Sequence, residues 1–276
     1  MSKTAIVTGG NGRLGLAVLR GLCRRLAADD VVYLTARDPE RGRAAVDRLR
    51  REGFAPRLAA LDLCDPAGAE ALADTVAARH GGVDILIGGA GARIDLATRN
   101  QDQVGAYVDT NNHGTRRLIE AFAPRLRDGA RFVCVVGDLG GLRHLPHRLR
   151  ARFDVDRVSL ADLSEVMDDY VRAVREGRSA AEGWPAWIGV PSAIGTVAAV
   201  KVLARELAAD PARRDIVVNV ACVGRPDPAA PGDAAAREEA LERAAADVVW
   251  LATLPAGTRT PHAELVRERT ALPFRA

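Results

Sequence analysis

The residues TGGNGRLG (8–15) follow a short β-branched run and precede a helical pattern. A glycine-rich turn between a strand and a helix lets the backbone approach a pyrophosphate closely. The helix N-terminus adds free amides and the positive end of a dipole. The turn is therefore predicted to bind a dinucleotide through Gly9, Asn11, Gly12, Arg13, Leu14 and Gly15.

The second β-branched run, VVYLT (31–35), is followed by ARDPER (36–41). An acidic residue at this strand tip binds the ribose hydroxyls of NAD, whereas an arginine pairs with the 2′-phosphate of NADP. Arg37 lies at the tip and Arg41 one helical turn further, which favours NADP(H). Two alternatives stay open: both arginines are merely solvated at a helix start, or the adjacent Asp38 signals NAD.

The third and fourth runs end in further candidate cofactor contacts. Asp62 can accept a hydrogen bond from an adenine amino group, with Leu63 beside the ring; alternatively, Asp62 caps the helix after Pro66. The fourth run ends in GGAG (88–91). There the backbone of Gly89, Ala90 and Gly91 can approach a flat cofactor closely.

Six strands are predicted in alternation with helices, and the strands are apolar on both faces. This pattern predicts an α/β fold, a parallel doubly wound sheet of Rossmann type. The predicted strands are 4–8, 31–35, 57–63, 83–89, 131–136 and 215–221, and the predicted helices lie near 14–27, 39–52, 66–80, 98–126, 193–209 and 234–252.

About fifty residues, 137–186, interrupt the alternation. They include a helix with Ser159 as predicted N-cap and Gly177 as predicted C-terminal stop. An insertion at the carboxyl end of a strand is expected to cover the ligand crevice of such a sheet.

Composition excludes several functional classes. Net charge is +3, and the arginines are dispersed, so no nucleic-acid partner is predicted. The four cysteines form no CxxC pair and have no histidine at metal-ligand spacing, so we expect reduced thiols, a cytoplasmic protein and no metal. The N-terminal apolar run is too short for a signal peptide, and prolines and glycines interrupt the longest uncharged stretch, 184–198, so no membrane segment is expected.

These motifs together resemble the short-chain dehydrogenase/reductase family, and most closely its monomeric carbonyl reductases. The resemblance implies one Rossmann-type domain, 1–276, of about seven strands, with NADP(H) and a monomeric state. It also places the backbone of Val223 and Gly224 beside the nicotinamide, with Arg225 reaching solvent or a phosphate. The motifs are VTGGN (7–11), LTARD with RG and AAV (34–46), LDL (61–63), the TN and GTR of TNNHGTR (110–116), EGWP (182–185) and NVAC–G (219–224).

The resemblance fails at the catalytic residues. Asn111 matches the family's Asn, which implies a catalytic and cofactor-side position, although a purely structural role is the alternative. The family's Ser, Tyr and Lys have no counterpart, because those positions hold Val136 or Gly137, Ile188 or Gly189, and Ser192 or Ala193. The only lysines are Lys3 and Lys201, and position 197 is Val, so no Tyr-x-x-x-Lys motif exists in any register.

Three substitutes for the missing proton donor are open. One is a side chain, namely Ser192, His113 or Asp138, each with a structural alternative as helix cap, packed ring or turn former. The second is water, and the third is a phenolic hydroxyl of the substrate itself. We favour the third, because Gly137 and the apolar stretch with Trp184 and Trp187 suit a flat aromatic molecule; packing of the insertion is the alternative for both tryptophans.

The chain also resembles atypical ketoreductases of antibiotic biosynthesis that lack Tyr and Lys. That resemblance alone implies the substrate, a polycyclic aromatic polyketide similar to an angucyclinone. Alternatives are a non-catalytic NADP-binding protein and a non-redox cyclase or isomerase. The predicted substrate contacts are Gly137, Asp138, Trp187 and Ser192.

Overall fold

The computed structural model describes residues 2–224 and 234–275. Its strands form one sheet in the order β3-β2-β1-β4-β5-β6-β7-β8, parallel except for the last pair. The strands are β1 Thr4–Val7, β2 Val31–Ala36, β3 Arg57–Ala60, β4 Val83–Gly88, β5 Leu126–Val136, β6 Val217–Cys222, β7 Leu265–Arg267 and β8 Thr270–Leu272.

Helices cover both faces of the sheet, as the alternating pattern predicts. One core lies between the sheet and α1, α2 and α9, and a second, larger core lies beneath α3, α4, α5, α7 and α8. The α-helices are α1 Arg13–Cys23, α2 Pro39–Arg51, α3 Pro66–His80, α4 Asn100–Val108, α5 Gly114–Phe122, α6 His147–Arg150, α7 Leu160–Arg175, α8 Gly189–Ala209 and α9 Ala234–Ala252. A π-helical turn spans Asp109–His113, and 3-10 turns span Ala123–Arg125, Leu142–His144 and Ala151–Phe153.

The predicted doubly wound α/β fold is confirmed, with differences in detail. β3 ends at Ala60 instead of residue 63, β5 begins at Leu126 instead of residue 131, and α8 begins at Gly189 instead of near residue 193. The helix predicted over 98–126 contains the π-helical turn between α4 and α5. The sheet has a seventh parallel strand and an eighth, antiparallel strand where about seven strands were expected. The β7–β8 hairpin escapes sequence reasoning because Glu268 and Arg269 form its turn with φ of 49° and 59°, without the Asn or Gly that usually signals such turns.

The insertion is built around α7, which begins as predicted. The Ser159 hydroxyl accepts from the Asp162 amide (3.1 Å), and the Asp162 carboxylate accepts from the Ser159 amide (2.8 Å), which forms a capping box. Beyond its end, Gly177 takes the expected left-handed conformation, with φ of 71°.

The apolar face of α7 determines where the insertion lies. Leu163, Met167 and Tyr170 are buried in the larger core, and the helix packs on α4 and α8. α7 thus lies beside the helix layer. Of the insertion, Gly137 and Asp138 follow the carboxyl end of β5, and cover of the crevice by the remaining residues stays a prediction.

The capping box gives a prediction about stability. Replacing Ser159→Ala leaves the Asp162 amide at the start of α7 without its side-chain acceptor and should lower the free energy of unfolding by about 1 kcal/mol. Urea denaturation measures this loss. Ser179→Ala, beyond the end of α7, is the matched control, and an equal loss in both variants would contradict the capping role.

Candidate functional site

The strand order reverses between β1 and β4, because β1 continues to β2 on one side and to β4 on the other. Crossover connections therefore leave in opposite directions at this point, and a crevice opens beyond the carboxyl ends of the strands. The glycine turn after β1 and the loop after β4 form its two sides.

Backbone contacts join these two sides. The Thr8 hydroxyl accepts hydrogen bonds from the amides of Gly89 (3.0 Å) and Ala90 (3.1 Å). Gly9 has φ of 67°, and a Cβ on it would lie 2.8 Å from the Ala90 Cα. A Cβ on Gly15 would overlap the Gly9 carbonyl oxygen. Only glycine fits at both positions, which is what close approach of the backbone to a pyrophosphate requires.

The N-terminus of α1 is open for an anion. Gly12 precedes the helix without a side-chain cap, and the first turn holds no acidic residue. Asn11 and Leu14 are half-buried in this turn. Arg13 points to solvent with its side chain 65% exposed, and its guanidinium pairs with Glu238 of α9 at 2.6 Å. Arg13 can approach the phosphates as predicted only if its ion pair with Glu238 breaks.

The acidic residue and the two arginines at the tip of β2 have different roles. Asp38 caps α2, since its carboxylate accepts from the amides of Glu40 (2.9 Å) and Arg41 (3.2 Å). The Arg41 guanidinium lies 3.6 Å from the same carboxylate. Arg37 and Arg41 are both exposed. The capping role accounts for Asp38 without invoking NAD, and two cations remain at the strand tip.

The helix that follows β3 is not capped by Asp62, the residue that the sequence offered as an alternative N-cap. Asp65, not Asp62, caps α3 by accepting from the Ala67 amide at 3.0 Å. Asp62 instead forms a local turn, accepting from the Cys64 amide at 3.0 Å. Leu63 is buried against Gly114. The capping alternative for Asp62 is therefore wrong, and its role toward adenine stays a prediction.

Asn111 fixes the loop after β4. Its side-chain oxygen accepts from the Ala92 amide (2.8 Å) and would lie 2.8 Å from a Cβ on Gly91. Its main-chain carbonyl, freed by the π-helical turn, accepts from the hydroxyls of Thr115 (2.7 Å) and Thr196 (3.3 Å). Asn111 thus positions the loop and joins it to α8. Sequence reasoning missed Thr8 and Thr196, because single threonines carry no motif.

The carboxyl ends of β5 and β6 form the other half of the crevice. The Val223 amide donates to the Val136 carbonyl (3.0 Å), and Gly224 follows with φ of 73°. Gly137 is exposed beside them. The next residue along, Arg225, lies outside the described residues.

Asp138 is engaged in an ion pair. Its carboxylate accepts from the Arg267 guanidinium of β7 at 2.9 Å and lies 3.6 Å from the Cys222 sulfur. Burial raises the pKa of the Cys222 thiol. The Asp138 carboxylate is thus the counter-ion of Arg267 at this edge of the sheet.

The start of α8 presents an apolar surface. Ile188 is buried, and Ser192 is 2% exposed, with its carbonyl accepting from the Asn112 amide nitrogen at 2.9 Å. The Trp187 indole is half-buried next to Gly189.

Trp184 does not face a ligand. It is 4% exposed, 4.8 Å from the Tyr170 ring and 6.5 Å from the Phe153 ring. The suggestion that both tryptophans suit an aromatic substrate is therefore wrong for Trp184, which packs the insertion. Trp187 stays a predicted substrate contact.

Other candidate proton carriers are held elsewhere. The His113 ring contacts the Asp168 carboxylate of α7 at 2.9 Å, which supports the packing role. The Lys201 ammonium donates to the Ala263 carbonyl and lies 5.6 Å from the Phe274 ring centroid, in the C-terminal segment. Burial lowers the pKa of Lys201.

Neither a metal site nor a membrane-spanning helix is found among the described residues. No cluster of three or more His, Cys, Asp or Glu side chains there is arranged to hold a metal ion. None of the described helices combines the length and apolarity needed to span a membrane.

Comparison with known proteins agrees with this geometry. Residues 3–144 match the family model described as short chain dehydrogenase. The chain is 34% identical over 273 residues to carbonyl reductase [NADPH] 3 of Mus musculus, covering 97% of each protein. It is 33% identical over 271 residues to carbonyl reductase [NADPH] 1 of Homo sapiens, covering 96% of each.

A solved structure shares the fold. Menthone neomenthol reductase from Mentha piperita superposes with a TM-score of 0.80 at 22% identity, covering 98% of this chain and 100% of that one. The matched family model and the two full-length relatives show that this chain belongs to the short-chain dehydrogenase family.

Proposed function

We propose that this protein is an NADPH-dependent oxidoreductase, a ketoreductase that reduces a ketone of a polycyclic aromatic polyketide, similar to an angucyclinone, in antibiotic biosynthesis. Family membership supports the oxidoreductase class, and the names of the two carbonyl reductase relatives support NADPH. The observation that carries the proposal is a glycine-rich turn before an uncapped helix start, combined with a start of α8 that is apolar and holds neither Tyr nor Lys.

The described residues fit the cofactor. Gly9 and Gly15 let the turn pack closely where a Cβ would collide with neighbouring backbone, and the uncapped start of α1 offers amides to a pyrophosphate. Arg37 and Arg41 suit a 2′-phosphate. Bound NADPH supplies the hydride. The remaining proposed contacts are Asn11, Gly12, Arg13, Leu14, Asp62, Leu63, Gly89, Ala90, Gly91, Asn111, Val223 and Gly224.

The chemistry must proceed without a protein acid, and the energetics permit it. Loss of a general acid costs about 10²–10⁴-fold in rate, or about 3–5.5 kcal/mol of barrier. Correct positioning of two reactants can contribute about 7–11 kcal/mol. Loss of the acid therefore does not by itself abolish hydride transfer in a crevice that orients donor and acceptor.

In this proposal the substrate supplies the proton. A phenolic hydroxyl beside the ketone hydrogen-bonds the carbonyl oxygen and polarises it as hydride arrives. The chain's part is to orient the ring system and exclude water, through Gly137, Trp187 and the buried surface around Ile188 and Ser192. A bound ring system that excludes water from the site would strengthen the intramolecular hydrogen bond.

We propose that residues 1–276 form one domain that is monomeric. The packing of α7 on α4 and α8 supports this, because it occupies helix surface that would otherwise be available to a second copy.

The monomeric state predicts a molar mass near the 29.3 kDa of the chain in light scattering after gel filtration. The expected mass should not change with protein concentration over the micromolar range. A mass of twice that value or more would contradict the proposal.

The cofactor assignment predicts a charge-specific loss. Arg37→Ala and Arg41→Ala should each weaken NADPH binding by about 10–100-fold, since each removes a charged hydrogen bond to the 2′-phosphate. Calorimetric titration should show NADH binding unchanged. Arg43→Ala, on the same helix, is the control and should match wild type. Equal losses for NADPH and NADH would argue against the 2′-phosphate contact.

The mechanism predicts dependence on a substrate hydroxyl. With NADPH, 8-hydroxy-1-tetralone should be reduced with a kcat/KM about 10²–10⁴-fold above that of 8-methoxy-1-tetralone, because methylation removes the internal proton donor. An angucyclinone with a hydroxyl beside its ketone extends the test.

The outcomes of this assay separate the alternatives. A loss of the same size in Ser192→Ala with the hydroxy ketone would identify a protein acid instead. Tight NADPH binding without any alcohol product indicates a non-catalytic binding protein. A changed substrate with no NADPH consumed indicates a cyclase or isomerase.

A further inference from the structure

The end of β7 contributes an arginine to the crevice that no motif identifies. The registers Val136↔Cys222 and Ala221↔Val266 place Val136, Cys222 and Arg267 side by side on three adjacent parallel strands. Side chains alternate along a strand, so Arg267 lies on the same face of the sheet as Leu265, which packs in the larger core with α8. Arg267 is thus on the proposed substrate side.

Contacts confirm this placement. The Arg267 guanidinium donates to Asp138 at 2.9 Å, and another of its nitrogens lies 3.7 Å from where a Cβ on Gly224 would be. Both neighbours follow directly after the strand ends that line the crevice. Strand spacing puts Arg267 about 10 Å from the end of β5, a distance that a flat fused-ring molecule can span.

The guanidinium has donors to spare. It has five N–H groups, and one hydrogen bond, to Asp138, is made within the described residues. Its side chain is 45% exposed, and that of Asp138 is 33% exposed. An arginine that keeps several donors at the rim of an apolar crevice can bind a planar oxyanion in a bidentate contact.

We propose that Arg267 forms an anion-binding subsite at the β7 end of the crevice, which recognises a carboxylate or an ionised acidic phenol on the aromatic ligand. The subsite lies away from the ketone-reducing centre and determines which ring systems bind. Asp138 is the counter-ion that holds the guanidinium in place when the subsite is empty. This inference rests on the proposed function for the location of the crevice, and its test needs no turnover.

The test is equilibrium binding of two probes in the presence of saturating NADP⁺ at 0.15 M salt. The probes are 1-hydroxy-2-naphthoate and its neutral methyl ester. Wild type should bind the carboxylate probe about tenfold more tightly than the methyl ester, a typical difference for one charge-assisted contact at a partly exposed site. Arg267→Met keeps the apolar stem and should abolish the preference without weakening ester binding, and Arg267→Lys should retain part of it.

Two further variants make the outcome specific. Asp138→Asn removes the competing carboxylate and should increase the preference for the anion. Arg269→Met is the matched control, because Arg269 lies in the same hairpin but its guanidinium is 5.7 Å from the Trp250 ring centroid; it should behave as wild type.

Three results would overturn the subsite: an unchanged preference in Arg267→Met, an equal loss in Arg269→Met, or no binding of either probe to wild type. Failure to reduce any ketone would instead refute the proposed reaction and leave the binding result standing, so the two can be told apart.

Discussion

The crevice depends on backbone contact between the turn after β1 and the end of β4. Glycine at positions 9 and 15 lets these segments touch, and the Thr8 hydroxyl joins them through the amides of Gly89 and Ala90. The Asn111 side chain then fixes the following loop. A side chain at position 9 would collide with the backbone of Ala90, so the glycine there serves both the predicted nucleotide site and the close packing of the two segments.

Most of the fold follows from sequence because short apolar runs and amphipathic segments alternate over nearly the whole chain. Contacts between residues that are far apart in the chain cannot be predicted from this pattern. Asp138 and Arg267 are 129 residues apart in sequence, and only the register of β5, β6 and β7 brings them together. Residue type also cannot decide between neighbouring candidates for the same role. Asp62 and Asp65 are equally suitable N-caps by type, and in the structure Asp65 caps α3.

The substrate half of the crevice differs from the family pattern in its residues. Ile188 and Ser192 are buried where the resemblance places Tyr and Lys, and the two lysines are far from the carboxyl edge. Asp138 and Arg267 form an ion pair at this end of the crevice. In the proposed reaction, the site holds and shields the ligand, and a group that the ligand carries supplies the proton.

The most direct measurement is the structure of the protein with NADP⁺ and a hydroxy ketone bound together. In this account, the nicotinamide lies beside Ala90 and Val223, and the group nearest the ketone oxygen is the ligand's own hydroxyl, with protein donors beyond about 3.2 Å. A crevice without dinucleotide, or a protein O–H or N–H within hydrogen-bonding distance of that oxygen, would contradict it.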